Sequence, residues 1–285
     1  MSKEGEKMEG KLYIVATPIG NLEDITLRAI KVLQEVDIIA AEDTRHSLKL
    51  LNHLKISKPL ISYHRHNEEI KTDLLISKLK EGKNIALVSD AGTPVISDPG
   101  EEIVKEAIVN QIEVIPIPGA CAAINALVAS GLTAKEFCFF GFLPINKKLR
   151  KEKLEQIRNE NKTTILYEAP HKLENTLKEL ELILSDRKVV LAKELTKIHE
   201  FFYRGNIKDI RNQIGEPKGE FIILIEGNPT KEEESKKELN ELTIEEHYEF
   251  YEKQGYTKKE IIKKIAKDRN VSKNEIYMQF LKKKD

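Results

Sequence analysis

The chain has 285 residues, 47 of them basic and 47 acidic, so its formal net charge is zero. That length sits more comfortably in two α/β domains than in one. The zero balance excludes attraction to nucleic acid through total charge and leaves only a local patch. Cys121 and Cys138 stand among small or apolar residues with no CxxC pair and no metal-ligand spacing, and they read as reduced, buried thiols.

Residues 1–10 are polar and are expected to be disordered. The apolar run after them is too short for a secretory segment and no later one could cross a bilayer, so a cytoplasmic protein is expected. From Leu12 onward, short flat apolar runs alternate with segments of helical period: LYIVAT (12–17), DIIAA (37–41), PLISY (59–63), NIALVS (84–89) and EVIPI (113–117). The alternation predicts a mostly parallel sheet with helices on both faces. After GFLP (141–144) the segment NKKLRKEKLEQIRNENK predicts an amphipathic helix that opens a new unit, which places the domain boundary near Leu143. TTILYE, a helix from about Lys172 to Leu184, KVVLAKE, a hairpin strand EFFYRG and EFIILIEG follow, α/β again but with more antiparallel character.

These readings divide the chain into domains at 11–142 and 143–227, an exposed linker at 228–242 and a helical module at 243–285. In the module, Thr243, Thr257 and Ser272 each precede a Glu by three residues, the pattern of a capping box, so three short helices are expected. Ile261, Ile262, Ile265, Ala266, Ile276, Phe280 and Leu281 would form its core. From Lys258 to Asp285 there are ten Lys or Arg against four Asp or Glu, a net of +6. Such a module could neutralise RNA phosphates, or it could be a solvated lysine-rich surface. Its last two helices fit a helix-turn-helix pair and a plain helical hairpin equally.

Three predicted strands end in unusual loops. SDAGTPVISDPG (89–100) follows NIALVS, ATPIGNLEDIT (16–26) ends the first strand, and EVIPI runs into PGACAAINALVASG (118–131). Ligands of open α/β sheets bind beyond the carboxyl ends of the strands, and small residues there let a ligand approach the backbone. Each loop could also be an ordinary tight turn or close helix-sheet packing. None is a GxGxxG fingerprint or a Walker loop.

Together with AEDTRHSLKLL, YHRHNE, FCFFGFLP, LYEAPHKLENTL, VLAKELTKIHE and GEFIILIEG, these loops resemble the tetrapyrrole-methylase superfamily over about residues 11–227. Within it the chain is similar to the branch that methylates small-subunit ribosomal RNA. The corrin-making and diphthamide-making relatives are Gly-rich where this chain has ATPIGN, and they generally lack AEDTR. The resemblance implies two α/β domains with S-adenosylmethionine folded into the cleft between them, a homodimer, and no metal. Carried onto this sequence, it implies cofactor contacts at Pro18, Asp90, Ala91, Gly92, Thr93, Val95, Cys121, Ala122, Leu166, Tyr167, Ala192, Gly219 and Glu220. It also implies 2′-O-methylation of a cytidine ribose in the decoding region of 16S ribosomal RNA.

A ribose hydroxyl is a weak nucleophile, so a base or hydrogen-bonding partner and strict orientation are expected. Glu42, Asp43 and Arg45, with Lys193 or Glu194 as a second polar contact, are the favoured candidates because their segments abut the loops assigned to the cofactor. Glu42 and Asp43 could instead cap a helix, and Lys193 with Glu194 could be a surface ion pair. His64, His66, Glu168 and His171 are further polar residues at strand ends, each with an ordinary structural reading. A tetrapyrrole methyltransferase and a non-enzymatic nucleic-acid-binding regulator are the competing functions.

Overall fold

The computed structural model describes residues 9–184, 186–229 and 239–281. Residues 1–8, most of the expected linker, and the side chains of Phe280 and Leu281 lie outside the described residues. The chain divides into two compact units between Glu226 and Gly227.

The first unit holds two five-stranded sheets. In the first sheet, β1 (Leu12–Val15), β2 (Ile38–Ala41), β3 (Leu60–Ser62), β4 (Ile85–Val88) and β5 (Val114–Ile117) are all parallel, in the order β3-β2-β4-β1-β5. The central strands β2 and β4 are buried at every position, which is why they read as unbroken apolar runs rather than as alternation. Helices α1 (Leu27–Glu35) and α2 (Thr44–His53) pack Ala29, Leu33 and Leu51 on one face. On the other, α3 (Glu68–Lys80) and α4 (Glu101–Val109) pack Leu75, Leu79 and Ile103.

Helix α5 (Ala122–Ser130) leads to the second sheet, formed by β6 (Phe137–Phe142), β7 (Thr163–Glu168), β8 (Val189–Lys193), β9 (Phe201–Gly205) and β10 (Phe221–Ile225) in the order β6-β7-β10-β8-β9. Only β6 and β7 pair in parallel, and EFFYRG forms the expected hairpin strand against β8. One face of this sheet carries α6 (Lys147–Asn159), α7 (Pro170–Leu184) and α8 (Ile207–Gln213).

The other face carries α5, whose Ala123, Ala126 and Leu127 pack with Ile165, Val190, Ala192, Ile222 and Leu224. Side chains along a strand alternate between faces. Ile165 and Tyr167 therefore meet α5, while Leu166 joins the opposite core. The second sheet begins at Phe137, not near Leu143, because α5 already lies on that sheet when it ends at the left-handed Gly131. The chain thus has only to continue into β6.

The second unit contains α9 (Ile244–Glu252), α10 (Lys258–Asp268) and α11 (Lys273–Leu281). The boxes at Thr243 and Thr257 are reciprocal. At the third start the Glu275 N–H donates to Ser272 Oγ at 3.2 Å. Ile261, Ile262, Ile265, Ala266 and Ile276 form the core as expected, with Tyr251 and Leu239 added. Leu242 also packs against it, so the end of the segment expected as linker belongs to the module's core.

Candidate active site

Three loops meet where the two sheets adjoin through α5. The Thr17 N–H donates to the Gly92 carbonyl at 2.8 Å and Gly92 returns the bond at 3.1 Å. Thr93 Oγ1 donates to the Ala120 carbonyl at 2.9 Å, and the Asp43 N–H donates to Asp90 Oδ1 at 3.0 Å. Gly92 has φ +83°, and a Cβ there would meet Ile19 Cγ2 at 3.0 Å, so glycine suits both the backbone and the packing. Val95 is β-branched at φ 77°, a strained conformation of the kind that clusters at functional loops.

These loops and the α5-facing side of the second sheet enclose a cavity of about 480 Å³, within the usual size range of small-molecule sites. Its apolar wall includes Ile19, Ile96, Phe142, Leu195 and Ile222. Its charged lining is Glu42, Asp90, Asp98, Glu168 and Glu220, and among the described residues no Lys, Arg or His lines it. Burial and the neighbouring Asp98 and Asp90 push the Glu42 carboxyl above its usual range, against a smaller opposing effect of Arg65. Asp98 is likewise raised, first by burial and then by Asp90, with Ser89 and Arg65 opposing. Arg65 lies near these carboxylates without lining the cavity; its Nη2 donates to the Ser97 carbonyl at 2.6 Å.

Tyr167 joins the two halves of the site. Its Oη accepts the Ala123 N–H at 3.1 Å in the first turn of α5, and its ring packs edge-on against Phe139 and Phe142 at 5.0 and 5.6 Å. Burial raises the phenol to about 12, so it keeps its proton across the neutral range. Glu168, 4 % exposed, is held by the Ala169 N–H at 2.9 Å and the Thr176 hydroxyl at 2.5 Å.

Asp90, Ala91, Gly92, Thr93, Cys121, Ala122, Tyr167, Ala192, Glu220 and Glu42 line the cavity. Pro18 instead borders a small adjacent recess with His46 and Ser89. Val95 packs into the first sheet's core and Leu166 into the second's. Gly219 does not line the cavity; its φ of +94° lets the chain pass Glu194, whose carboxyl a Cβ would meet at 2.4 Å. Glu194 itself accepts the Glu220 N–H at 2.8 Å and pairs with Lys197 at 3.0 Å, and Lys193 points away from the cavity-facing Ala192 by strand alternation.

Asp43 takes the capping role: it accepts the Arg45 N–H at 2.8 Å and pairs with the Arg45 guanidinium, which holds its carboxyl at about 2. His64 and His66 pack edge-on beside each other and His171 lies in the first turn of α7; none of the three lines the cavity. Both cysteines are free, but neither is fully buried: Cys121 faces the cavity at the start of α5, and Cys138 lies on the edge strand β6.

Asp98, Ile19, Ile96, Phe142, Leu195 and Ile222 line the cavity without having been singled out. Asp98 had a signal, since it lies in the same Gly- and Pro-rich loop as Asp90. The alternation of β7 also carried one, because Leu166 and Tyr167 cannot both face the same cavity. Among the described residues no group of three or more His, Cys, Asp or Glu could hold a metal ion, and no helix is long and apolar enough to cross a membrane.

The sequence profile described as Tetrapyrrole (Corrin/Porphyrin) Methylases matches residues 11–211. The chain is 51% identical over 271 residues to a Ribosomal RNA small subunit methyltransferase I of Halalkalibacterium halodurans, covering 94% of each chain. It is 49% identical over 280 residues to the protein of the same name in Bacillus subtilis, covering 97% of this chain and 96% of that one. Among solved structures, a uroporphyrin-III C-methyltransferase from Thermus thermophilus complexed with S-adenosylhomocysteine is similar in fold. Its TM-score is 0.53 at 18% identity, over 75% of this chain and 97% of that one.

Proposed function

The chain belongs to the tetrapyrrole methylase family, and from that premise we propose that it transfers the methyl group of S-adenosylmethionine to a ribose 2′-hydroxyl of a cytidine in the decoding region of 16S ribosomal RNA. The observation that carries this reading is the cavity at the junction of the two sheets, apolar on its walls and lined by carboxylates with no cationic side chain among the described residues. Its chemistry fits the donor: the apolar wall suits a purine, and the carboxylates suit the sulfonium and ammonium charges. Relatives about 50% identical over nearly their whole length are named as ribosomal RNA small subunit methyltransferases, so a tetrapyrrole acceptor is not favoured.

When bound, S-adenosylmethionine supplies an electrophilic methyl group. The protein's part is binding, orientation and proton handling. Ile19, Phe142, Leu195 and Ile222 exclude water from the donor, and Asp90, Asp98 and Glu168 supply negative potential. Tyr167 holds α5 against the second sheet and keeps the cavity's two walls in register. Glu42, at the end of β2 and facing the cavity, is the residue we assign to hydrogen-bond the ribose hydroxyl and accept its proton; its raised pKa makes it a better base than an ordinary carboxylate. Asp43 and Arg45, beside it, remain available to substrate outside the cavity, while Glu194 supports the loop that carries Glu220 and Lys193 pairs along the ladder with Phe221.

The proposal extends to organisation: two α/β domains that change over between α5 and β6, a linker, a C-terminal helical module, a homodimer, and a cytoplasmic setting. The test is transfer of labelled methyl from S-adenosylmethionine to small ribosomal subunits and to naked 16S RNA, followed by mapping of the modified nucleotide. A 2′-O-methyl mark on a cytidine is the expected result. Donor binding without transfer to either substrate would overturn the assignment.

A further inference from the structure

The second unit has a groove of its own, about 560 Å³, into which α10 presents Lys263, Lys264 and Lys267 beside Phe250, Tyr251 and Tyr256. The three lysines lie at i, i+1 and i+4 of one helix, so they share a face, while Ile261, Ile262, Ile265 and Ala266 turn into the module's core. None of the three makes an ion pair with a described residue. The two carboxylates of the groove are already engaged. Glu260 accepts the Thr257 N–H at 2.9 Å and its hydroxyl at 2.6 Å. Asp268 accepts the Tyr251 hydroxyl at 2.5 Å.

Three lysines against two carboxylates leave the groove a small excess of positive charge next to aromatic surface. Phe250 is 40 % and Tyr256 37 % exposed, and Lys264 Nζ stands 4.3 Å from the Tyr256 ring centroid, joining the cationic and aromatic parts. A merely solvated lysine face would have no reason to expose two rings at the same place. The cavity of the first unit, by contrast, has an acidic lining that repels phosphate.

We propose that this groove binds single-stranded RNA, with the lysines on the phosphates and the partly exposed rings of Phe250 and Tyr256 against the bases. The pairing of basic groove and stacking platform is how unpaired strands are held without strong sequence choice. The choice of RNA rather than another polyanion rests on the function proposed above.

The test uses the full chain and a fluorescein-labelled single-stranded ribo-oligonucleotide of about 16 nucleotides, long enough to cover one such groove. Binding is followed by anisotropy across a salt series. The triple change Lys263→Ala, Lys264→Ala, Lys267→Ala is expected to weaken binding about tenfold or more and to reduce the salt slope by about 2, since each single-strand phosphate contact contributes roughly 0.7. Tyr256→Ala is expected to weaken it about tenfold with the salt slope unchanged, and Tyr256→Phe to restore it. The exposed lysines Lys147, Lys148 and Lys151 of α6, changed together to Ala, serve as the control for general charge. Far-UV circular dichroism and donor binding check that each variant is folded.

Wild-type affinity and slope in the groove triple, an equal loss in the α6 control, or an unaltered Tyr256→Ala would each overturn the groove. So would tighter binding of polyglutamate than of RNA, which would assign it to an acidic protein segment. Methyl transfer to ribosomal subunits is measured separately on the wild type. Its absence would sink the proposed function whatever the oligonucleotide does, and its presence with an inert groove would sink only this inference.

Discussion

Replacing Tyr167 by Phe isolates one hydrogen bond at the junction on which the cavity depends. The ring would keep its edge-on contacts with Phe139 and Phe142 at 5.0 and 5.6 Å, so almost no apolar burial is lost. What is lost is the acceptor for the Ala123 N–H, at 3.1 Å in a residue only 3 % exposed. A buried donor left unpaired costs about 1–3 kcal/mol, and water cannot easily replace the phenol there. A loss of that size would lower the thermal midpoint by roughly 2–4 °C per kcal/mol for a chain near this length. Because Ala123 lies in the first turn of α5 and its neighbours Cys121 and Ala122 line the cavity, donor affinity should fall as well. Urea unfolding and calorimetric titration with S-adenosylhomocysteine measure the two effects. A Phe variant with wild-type midpoint and affinity would refute the view that Tyr167 locks α5 to the second sheet.

Three further outcomes are expected. Glu42→Gln should lower turnover about a hundredfold or more while donor affinity is retained. In the wild type, kcat/KM should fall as pH drops through the raised Glu42 pKa, because only the deprotonated carboxyl accepts a proton; the pH-rate profile of the amide variant should lose that limb. An amide variant with normal turnover would remove Glu42 from the mechanism. For Asp98 the folded pKa lies above the usual 3.8, so the folded state holds the proton more tightly and loses stability as pH rises from that value through the folded pKa. Asp98→Asn should therefore raise the denaturation midpoint at pH 7 while weakening S-adenosylmethionine more than the uncharged-sulfur S-adenosylhomocysteine; equal affinity losses for the two would contradict the charge argument. Thr243→Ala removes the acceptor of the Glu246 N–H at 3.2 Å and should cost α9 about 1 kcal/mol, seen as faster amide exchange in its first turn. Unchanged exchange there would show that the box contributes nothing.

The elements of this protein are written locally. Flat apolar runs with helical segments between them specify a parallel β/α series, but not the strand order, since β5 (VIPI) is as apolar as β2 and β4 and still lies at the edge. The hydroxyl-to-Glu spacings at Thr243, Thr257 and Ser272 announced three helix starts because a cap is satisfied within one turn of its own chain. The loop from Ser89 to Gly100 was legible for the same reason: its Gly and Pro residues declare an irregular backbone wherever the chain goes next.

The site's far wall was decided by tertiary structure. That α5 would leave the first sheet and bury Ala123, Ala126 and Leu127 on the second depends on the shape of both partners, and no spacing within PGACAAINALVASG encodes it. Hence β6 passed for part of the first domain, and Ile19, Phe142, Leu195 and Ile222 went unnoticed as lining. The roles of neighbouring acids also required three dimensions. Glu42 and Asp43 are adjacent in sequence, yet one faces the half-buried carboxylates of Asp98 and Asp90 and the other pairs with Arg45 in solvent, and only the fold sets those surroundings. Sequence determines which backbone groups and side chains are available within a turn or a strand; the distances between remote segments, which set burial and charge coupling, exist only once the chain has folded.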